Sequence, residues 1–216
     1  SSPICDARLP DGSRVNVIIP PLVLNGPTVT IRRHVRRWTI EDYLRIDSLS
    51  EPMAEFLEAC VKARVNLLVS GGTSTGKTSL VALLSRFIPP EERVITIENV
   101  PELQLVSREH WVRLVSRSGN VEGQGEIPLR TLVRNALRMR PDRMILGEAR
   151  GGEALDVVQA MHLGHDGFIT VMHANAPKAA LERLQMLMLM SGLEVPPSAC
   201  QMQIASAVDL VIHMGR

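Results

Sequence analysis

The chain has 216 residues, 45% of them hydrophobic and 22% charged, with a formal net charge of +1. This is enough apolar material for a sizeable core in one large domain, alone or with a smaller partner, and the near-neutral balance supplies no bulk attraction to a polyanion. The longest apolar runs, Val15 to Pro21 and Asn66 to Val69, fall far short of the roughly 20 residues that cross a bilayer. Cys5, Cys60 and Cys200 are odd in number and far apart, which fits neither a disulfide framework nor a paired ligand set, so a reducing compartment is expected.

Ser1 to Leu9 carry proline and acids and no apolar signal core, and read as the middle of a longer chain. Between Gly12 and Arg33 the runs "RVNVIIPPLVLNG" and "TVTIRR", punctuated by Pro20, Pro21, Gly26 and Pro27, predict short strands joined by tight turns. Residues 1–37 thus read as a small β-rich remnant. Thr39 can cap a short helix beginning near Glu41, and Ser50, followed by Glu51 and Pro52, is a second helix-start signal. A linker is placed over residues 38–49 and a larger domain over 50–216. There, Met53 to Arg64 has helical apolar spacing and "NLLVSG" reads as a buried strand. Further strands are predicted at Arg93 to Glu98, Trp111 to Ser116, Arg143 to Gly147, Phe168 to Val171 and Val208 to His213. Helices are predicted at Lys77 to Arg86, Glu126 to Arg140, Glu153 to Leu163 and Lys178 to Met190. Such alternation predicts an α/β fold, a mostly parallel sheet covered on both faces.

The string "GGTSTGKTSL" satisfies the P-loop (Walker A) pattern G-x-x-x-x-G-K-[ST] with Gly71, Gly76, Lys77 and Thr78. Glycines let consecutive backbone N–H groups curl toward phosphate oxygens, and the helix that follows adds its positive end. Gly71, Gly72, Thr73, Ser74, Thr75, Gly76, Lys77, Thr78 and Ser79 are therefore the candidate residues for a nucleoside triphosphate, most simply Mg-ATP. Lys77 would neutralise β and γ oxygens, and the Thr78 hydroxyl would complete a Mg²⁺ shell. Hydrolysis needs acids as well. "VITIEN" ends in Glu98 and "RMILGE" in Glu148, both at the carboxyl ends of apolar runs, where a parallel sheet gathers its ligands. Glu98 is the candidate for positioning water and Glu148 for the metal side; Asp142, at the other end of its strand, is weaker, and Asn99 cannot serve as a base.

"ITVMHAN" places His173 just past another strand, where a neutral imidazole can donate one hydrogen bond and accept another near a γ phosphate. His162, His165 and His173 do not form a short ligand pair, so zinc is not expected. In "EIPLRTLVRNALRMRPDR", Arg130, Arg134 and Arg138 share a helix face at a spacing of four, a row suited to water, acidic residues or phosphates. Arg134, Arg140 and Arg150, near strand ends or the glycine-rich "GEARGGEA", are the stronger candidates for functional contact. The methionine-rich "LQMLMLMSG" is read as mostly helix-packing core.

Five ordered segments resemble the secretion and pilus-assembly ATPases of bacterial type II and type IV systems, most closely the tight-adherence pilus branch. "DARLPDGSRVNVIIPPLVLNGPTVTIRR" resembles the end of that family's amino-terminal domain and "GGTSTGKTSL" its phosphate loop. "ERVITIENVPELQL" resembles its acidic box, "LVRNALRMRPDRMILGEARGGEALDVVQAM" its metal-binding strand and following helix, and "GHDGFITVMHAN" its histidine box. The resemblance implies a RecA-like P-loop NTPase core preceded by the remnant of a small α+β amino-terminal domain. It also implies a cytoplasmic homohexameric ring that hydrolyses ATP with Mg²⁺ and acts at the inner face of the cell membrane through a pilus or secretion platform protein, with no span of its own.

By the same resemblance Glu98 is the catalytic glutamate, Glu148 the metal-side glutamate and His173 the histidine-box residue, while Arg113 and Arg140 match arginines that approach the γ phosphate. Arg14 and Arg32 match amino-terminal-domain arginines that close over the nucleotide. Ser74 stands where the family usually has glycine, Thr75 where serine is common and Asn99 where aspartate is frequent. The chain also stops at "VDLVIHMGR", where the family continues. Two other functions compete: a nucleic-acid translocase or helicase, which the low net charge and the lack of a basic tract or aromatic platform disfavour, and a nucleotide-controlled scaffold that does not hydrolyse.

Overall fold

The computed structural model describes residues 3–10, 12–33, 38–105, 109–120 and 124–215. It divides into two units, Ser1–Trp38 and Thr39–Arg216.

In the smaller unit β1 (Ile4–Arg8), β2 (Arg14–Ile18) and β3 (Thr28–Arg32) form an antiparallel sheet in the order β1-β2-β3. The register opposes Cys5 to Val17, Ala7 to Val15, Val15 to Ile31 and Val17 to Val29, so the period of two collects small and β-branched side chains on one face. Strand β1 is not among the predicted elements, because "ICDAR" is a short run of three apolar residues broken by two charges and takes its place by pairing with β2.

The larger unit opens with α1 (Ile40–Arg45). Thr39 and Asp42 form its capping box, and Tyr43 and Leu49 are buried at 4% and 8% exposure. Residues 39–49, expected as linker, thus fold with this unit. Helix α2 (Glu51–Lys62) starts at Ser50, whose Oγ accepts the Met53 N–H, and buries Ala54, Leu57, Cys60 and Val61 while leaving Met53 and Phe56 exposed. Then follow β4 (Leu67–Gly71), α3 (Lys77–Leu84) with a 3₁₀ turn at Ser85–Phe87, β5 (Val94–Glu98), β6 (Trp111–Val115) and α4 (Leu129–Ala136). The chain continues through β7 (Arg143–Leu146), α5 (Glu153–His162), β8 (Ile169–His173), α6 (Pro177–Leu189), α7 (Pro197–Ala207) and β9 (Leu210–Met214).

The six strands pair in the order β6-β5-β7-β8-β4-β9, and every pairing is parallel. Each residue of β4, β5 and β7 is buried, as expected of strands covered on both faces. Leu68, Ile95, Ile97, Met144, Leu146 and Met172 point into one core with the apolar sides of α4, α5, α6 and α7. The alternate residues Val94, Thr96 and Glu98 face the other side, and register gives Trp111 and Arg113 the same face.

Three sequence expectations are corrected. Helix α4 is shorter than Glu126 to Arg140: Ile127 exchanges two backbone hydrogen bonds with Arg117, and Arg140 turns at a φ of 52°. The methionine-rich segment is only half core. Leu184, Leu187 and Met188 are buried, whereas Met186 and Met190 are 62% and 64% exposed, because one helix cannot turn all its faces to the same core. The unexpected α7 buries Cys200, Ile204 and Ala207 and starts behind Pro196 and Pro197. Among the described residues no helix is long and apolar enough to cross a membrane.

Candidate nucleotide site

The two edges of the parallel sheet differ in kind. At the amino edge, polar groups stitch strands together: Asp142 accepts the Arg93 N–H, and Asn66 bonds to both Ala207 and Phe168. Buried Arg143 lies on Glu92, which Arg64 also meets. At the carboxyl edge, β4, β5, β7 and β8 deliver Gly71, Glu98, Glu148 and His173 side by side, and register sets Gly71 opposite His173.

The loop between β4 and α3 has little latitude. Gly71 has a φ of 153°, and a Cβ there would lie 2.5 Å from the Met214 carbonyl oxygen and 2.7 Å from Thr75 Oγ1, so only glycine closes the turn. Thr75 Oγ1 donates to the Gly72 carbonyl at 3.0 Å. Gly76, at a φ of 91°, begins α3 with no side-chain cap, which leaves the first-turn N–H groups without an intrahelical acceptor. Those amides and the helix dipole make an anion cradle. Thr73 and Ser74 are exposed at its rim, and Thr78 and Ser79 are half-buried on the first turn. Ser74 adopts a φ of 59°, in the left-handed region that favours glycine.

Lys77 is only 6% exposed and its Nζ donates to the carbonyls of Gly71 and Gly72 at 3.0 and 2.5 Å. Nζ also lies 3.3 Å from His173 Nδ1. An ammonium only donates, so Nδ1 accepts and the imidazole proton sits on Nε2, 3.5 Å from Glu148 Oε1. The other carboxylate oxygen, Oε2, accepts from Arg150 Nη2 at 2.7 Å. Burial lowers the pKa of Lys77 against the pull of Glu148, and burial first, with Lys77, Arg150 and Arg183 behind it, lowers that of His173. The imidazole is therefore neutral near pH 7.

Glu98, at the end of β5, is 3% exposed. Its Oε1 accepts the N–H groups of Glu102 and Leu103, both at 2.8 Å, and its buried Oε2 has no hydrogen-bond partner among the described residues. Burial pushes this carboxyl upward, opposed by the two amides and by Arg113. Gly147 makes room for it: a Cβ there would lie 3.0 Å from Glu98 Cγ. A buried carboxylate with one anchored and one uncommitted oxygen suits a general base.

The arginines separate. Arg113 lies on β6 beside the Glu98 loop and donates to the Leu103 carbonyl at 3.1 Å. Arg140 stands before β7, at the amino edge, and the chain does not bring it to its own phosphate loop. Arg14 and Arg32 oppose each other across β2 and β3 in the smaller unit. Arg130 and Arg134 both clasp Asp156, at 2.7 and 2.6 Å, so the predicted row is largely spent on an acid within the fold. Glu153 was missed from the sequence; its Oε1 accepts the N–H groups of Arg150 and Gly151 and holds the turn after Glu148. Tyr43 and Met214 were missed too, being remote in sequence from Gly76, which they flank. Burial raises the Tyr43 pKa to about 12.

Among the described residues no three His, Cys, Asp or Glu side chains cluster as a metal cage. The expected Mg²⁺ residues are a half-buried Thr78 on the first turn of α3 and a Glu148 whose carboxylate meets Arg150 and His173, oxygen donors of the kind Mg²⁺ takes one or two at a time beside phosphates and water.

A family model described as "Type II/IV secretion system protein" matches residues 1–216. A Mycobacterium tuberculosis protein named for conjugal transfer is 38% identical over 206 residues, 94% of this chain, and the chain spans 57% of that relative's length. The type IV secretion system protein PtlH of Bordetella pertussis is 35% identical over 238 residues, covering 99% of this chain and 70% of PtlH. The crystal structure of the VirB11 ATPase of the Brucella suis type IV secretion system, in complex with sulphate, superposes with a TM-score of 0.68 at 32% identity, covering 98% of this chain and 68% of VirB11. The parallel sheet is accordingly the RecA-like α/β core of these ATPases. With the family model matched from end to end, this chain belongs to the Type II/IV secretion system protein family.

Proposed function

We propose that this chain is the nucleotide-hydrolysing part of an ATPase that drives assembly or secretion through a tight-adherence, type IV pilus-like machine, converting ATP and water to ADP and phosphate. The observation that carries this reading is Glu98: a buried carboxylate with one oxygen fixed by two amides and the other uncommitted, on the sheet edge that also carries the phosphate loop.

Residues 71–79 hold the phosphates through backbone amides, and Lys77 turns from its own loop carbonyls to the β and γ oxygens. Glu98 Oε2 takes a proton from the water whose oxygen attacks the γ phosphorus as the bond to the β-phosphate oxygen breaks and ADP leaves. His173, neutral with its proton on Nε2, links Lys77 to Glu148 and so reports on the phosphate at both. The Thr78 hydroxyl and, through water, Glu148 would hold Mg²⁺, which when bound would supply positive charge against that of the departing phosphate. Arg140, Arg14 and Arg32 complete the positive clamp in the assembled protein, from a neighbouring copy or from the smaller unit. Family membership supports a homohexameric ring, peripheral to the inner face of the cell membrane and coupled to a platform protein there. The capture of Arg130 and Arg134 by Asp156 argues against a nucleic-acid track on that face.

The test is binding and turnover in the intact purified protein. Mg-ATP is expected to bind and phosphate to be released, and Lys77→Ala is expected to weaken binding or turnover by about tenfold to a hundredfold, the worth of a charge-assisted contact. Binding with domain closure but no phosphate release would favour the scaffold reading, and no binding at all would end the nucleotide reading.

A further inference from the structure

Glu98 owes its orientation to the segment that follows it. Both donors to Oε1 are main-chain N–H groups, those of Glu102 and Leu103, so the carboxylate is as fixed as that loop. Two things fix the loop at Leu103: its side chain is in the core at 1% exposure, and its carbonyl accepts from Arg113 Nη2. Arg113 is itself braced. Its guanidinium lies over the Trp111 ring, 4.6 Å from the centroid, and Trp111 Nε1 donates to Thr96 Oγ1 at 3.0 Å. Thr96, Glu98, Trp111 and Arg113 share one face of the paired strands β5 and β6, which makes a closed circuit from strand to indole to guanidinium to loop to carboxylate. Arg113 is thereby committed to a carbonyl and a ring, and its charge acts on Glu98 from the side.

We propose that Arg113 is a positioning residue for Glu98: clamped on Trp111, it holds the Leu103 carbonyl and so keeps the two amides on Oε1, leaving Oε2 as the oxygen that takes the water's proton. The inference rests on the hydrolytic reading above and deepens it by naming what aligns the base.

The test compares Arg113→Ala, Arg113→Lys and Trp111→Leu with the wild type in the intact protein, using thermal unfolding to confirm that each folds. Three quantities are measured: Mg-ATP affinity, the pH profile of kcat, and the Glu98 carboxyl titration by NMR with carbon-13 label. Arg113→Ala is expected to lower kcat by about tenfold to a hundredfold, the scale of a small misplacement of a catalytic group, with affinity changed less than about threefold. The acid limb of its pH profile moves to higher pH, because removing a nearby cation makes Glu98 harder to ionise. Arg113→Lys retains the charge and recovers the acid limb with only part of kcat, since a lysine cannot stack and donate as a fork. Trp111→Leu, with Arg113 intact, lowers kcat in the same direction.

A loss of ATP affinity of about tenfold or more in Arg113→Ala with kcat unchanged would make Arg113 a phosphate contact and overturn the proposal. So would a Trp111→Leu variant identical to wild type. A wild type that binds ATP without releasing phosphate would sink the hydrolytic reading alone. The Glu98 titration in Trp111→Leu, where the Arg113 charge is kept, then decides the positioning claim: loosened Glu102 and Leu103 amides shift it upward, and an unshifted titration contradicts the claim.

Discussion

Ser74 turns through a φ of 59° in a loop where the neighbouring glycines take positive φ at no steric cost. A side chain in that region costs about 1 to 2 kcal/mol, part of which a glycine returns as unfolded-state entropy. Ser74→Gly is therefore expected to raise stability by about 0.5 to 1 kcal/mol in urea unfolding without nucleotide. Equal or lower stability would place the strain elsewhere. Glu98 carries a different cost. Burial raises its folded-state pKa, so the contribution linked to it is fully present below the ordinary carboxylate range and is lost as pH rises through the raised value. A glutamine keeps the acceptor for the Glu102 and Leu103 amides and cannot ionise. The stability of Glu98→Gln should accordingly gain on wild type as pH rises from the ordinary carboxylate range past the raised one, and a gap that is constant with pH would contradict the sign.

At the scale of elements, Asp156 on α5 ties Arg130 and Arg134 of α4, and Arg130 Nη1 continues to the Ser191 carbonyl beyond α6. Asp156→Ala should cost about 2 kcal/mol in urea unfolding, less than the 3 to 5 of a fully buried pair because the Arg134 side chain is 55% exposed. A change within about 0.5 kcal/mol would make the clasp ornamental. The strands of the larger unit were legible in sequence because runs such as "NLLVSG" and "VITIEN" are buried on both faces and need no partner to declare themselves. Glu98, Glu148 and His173 were legible for a related reason, since a polar residue ending an apolar run marks the carboxyl edge of a parallel sheet. What escaped depends on tertiary pairing. Strand β1 is specified by register with β2, the ends of α4 by a bridge to Arg117, and the exposure of Met186 and Met190 by which face of α6 meets the core. The Trp111–Arg113–Leu103 circuit joins β6 to the loop after β5, which no local pattern encodes, whereas the Glu153 contacts reach only two and three residues back and were legible in principle.

For the whole molecule, the two edges of the parallel sheet are unlike: amino-edge side chains hold strands together, and the carboxyl edge gathers the residues proposed for the chemistry. The chain spans 57% of one relative's length, and the proposed ring and its coupling to a membrane partner are tested on the assembled protein. Native mass spectrometry of that protein with Mg-ATP is expected to give six copies, and a monomer at all concentrations would remove the ring from the account. The central claim remains the uncommitted oxygen of Glu98, and its most direct test measures Mg-ATP affinity and phosphate release separately in Glu98→Gln. The account predicts affinity within about threefold of wild type and turnover lower by about a hundredfold or more, the worth of a general base; unchanged turnover would contradict it.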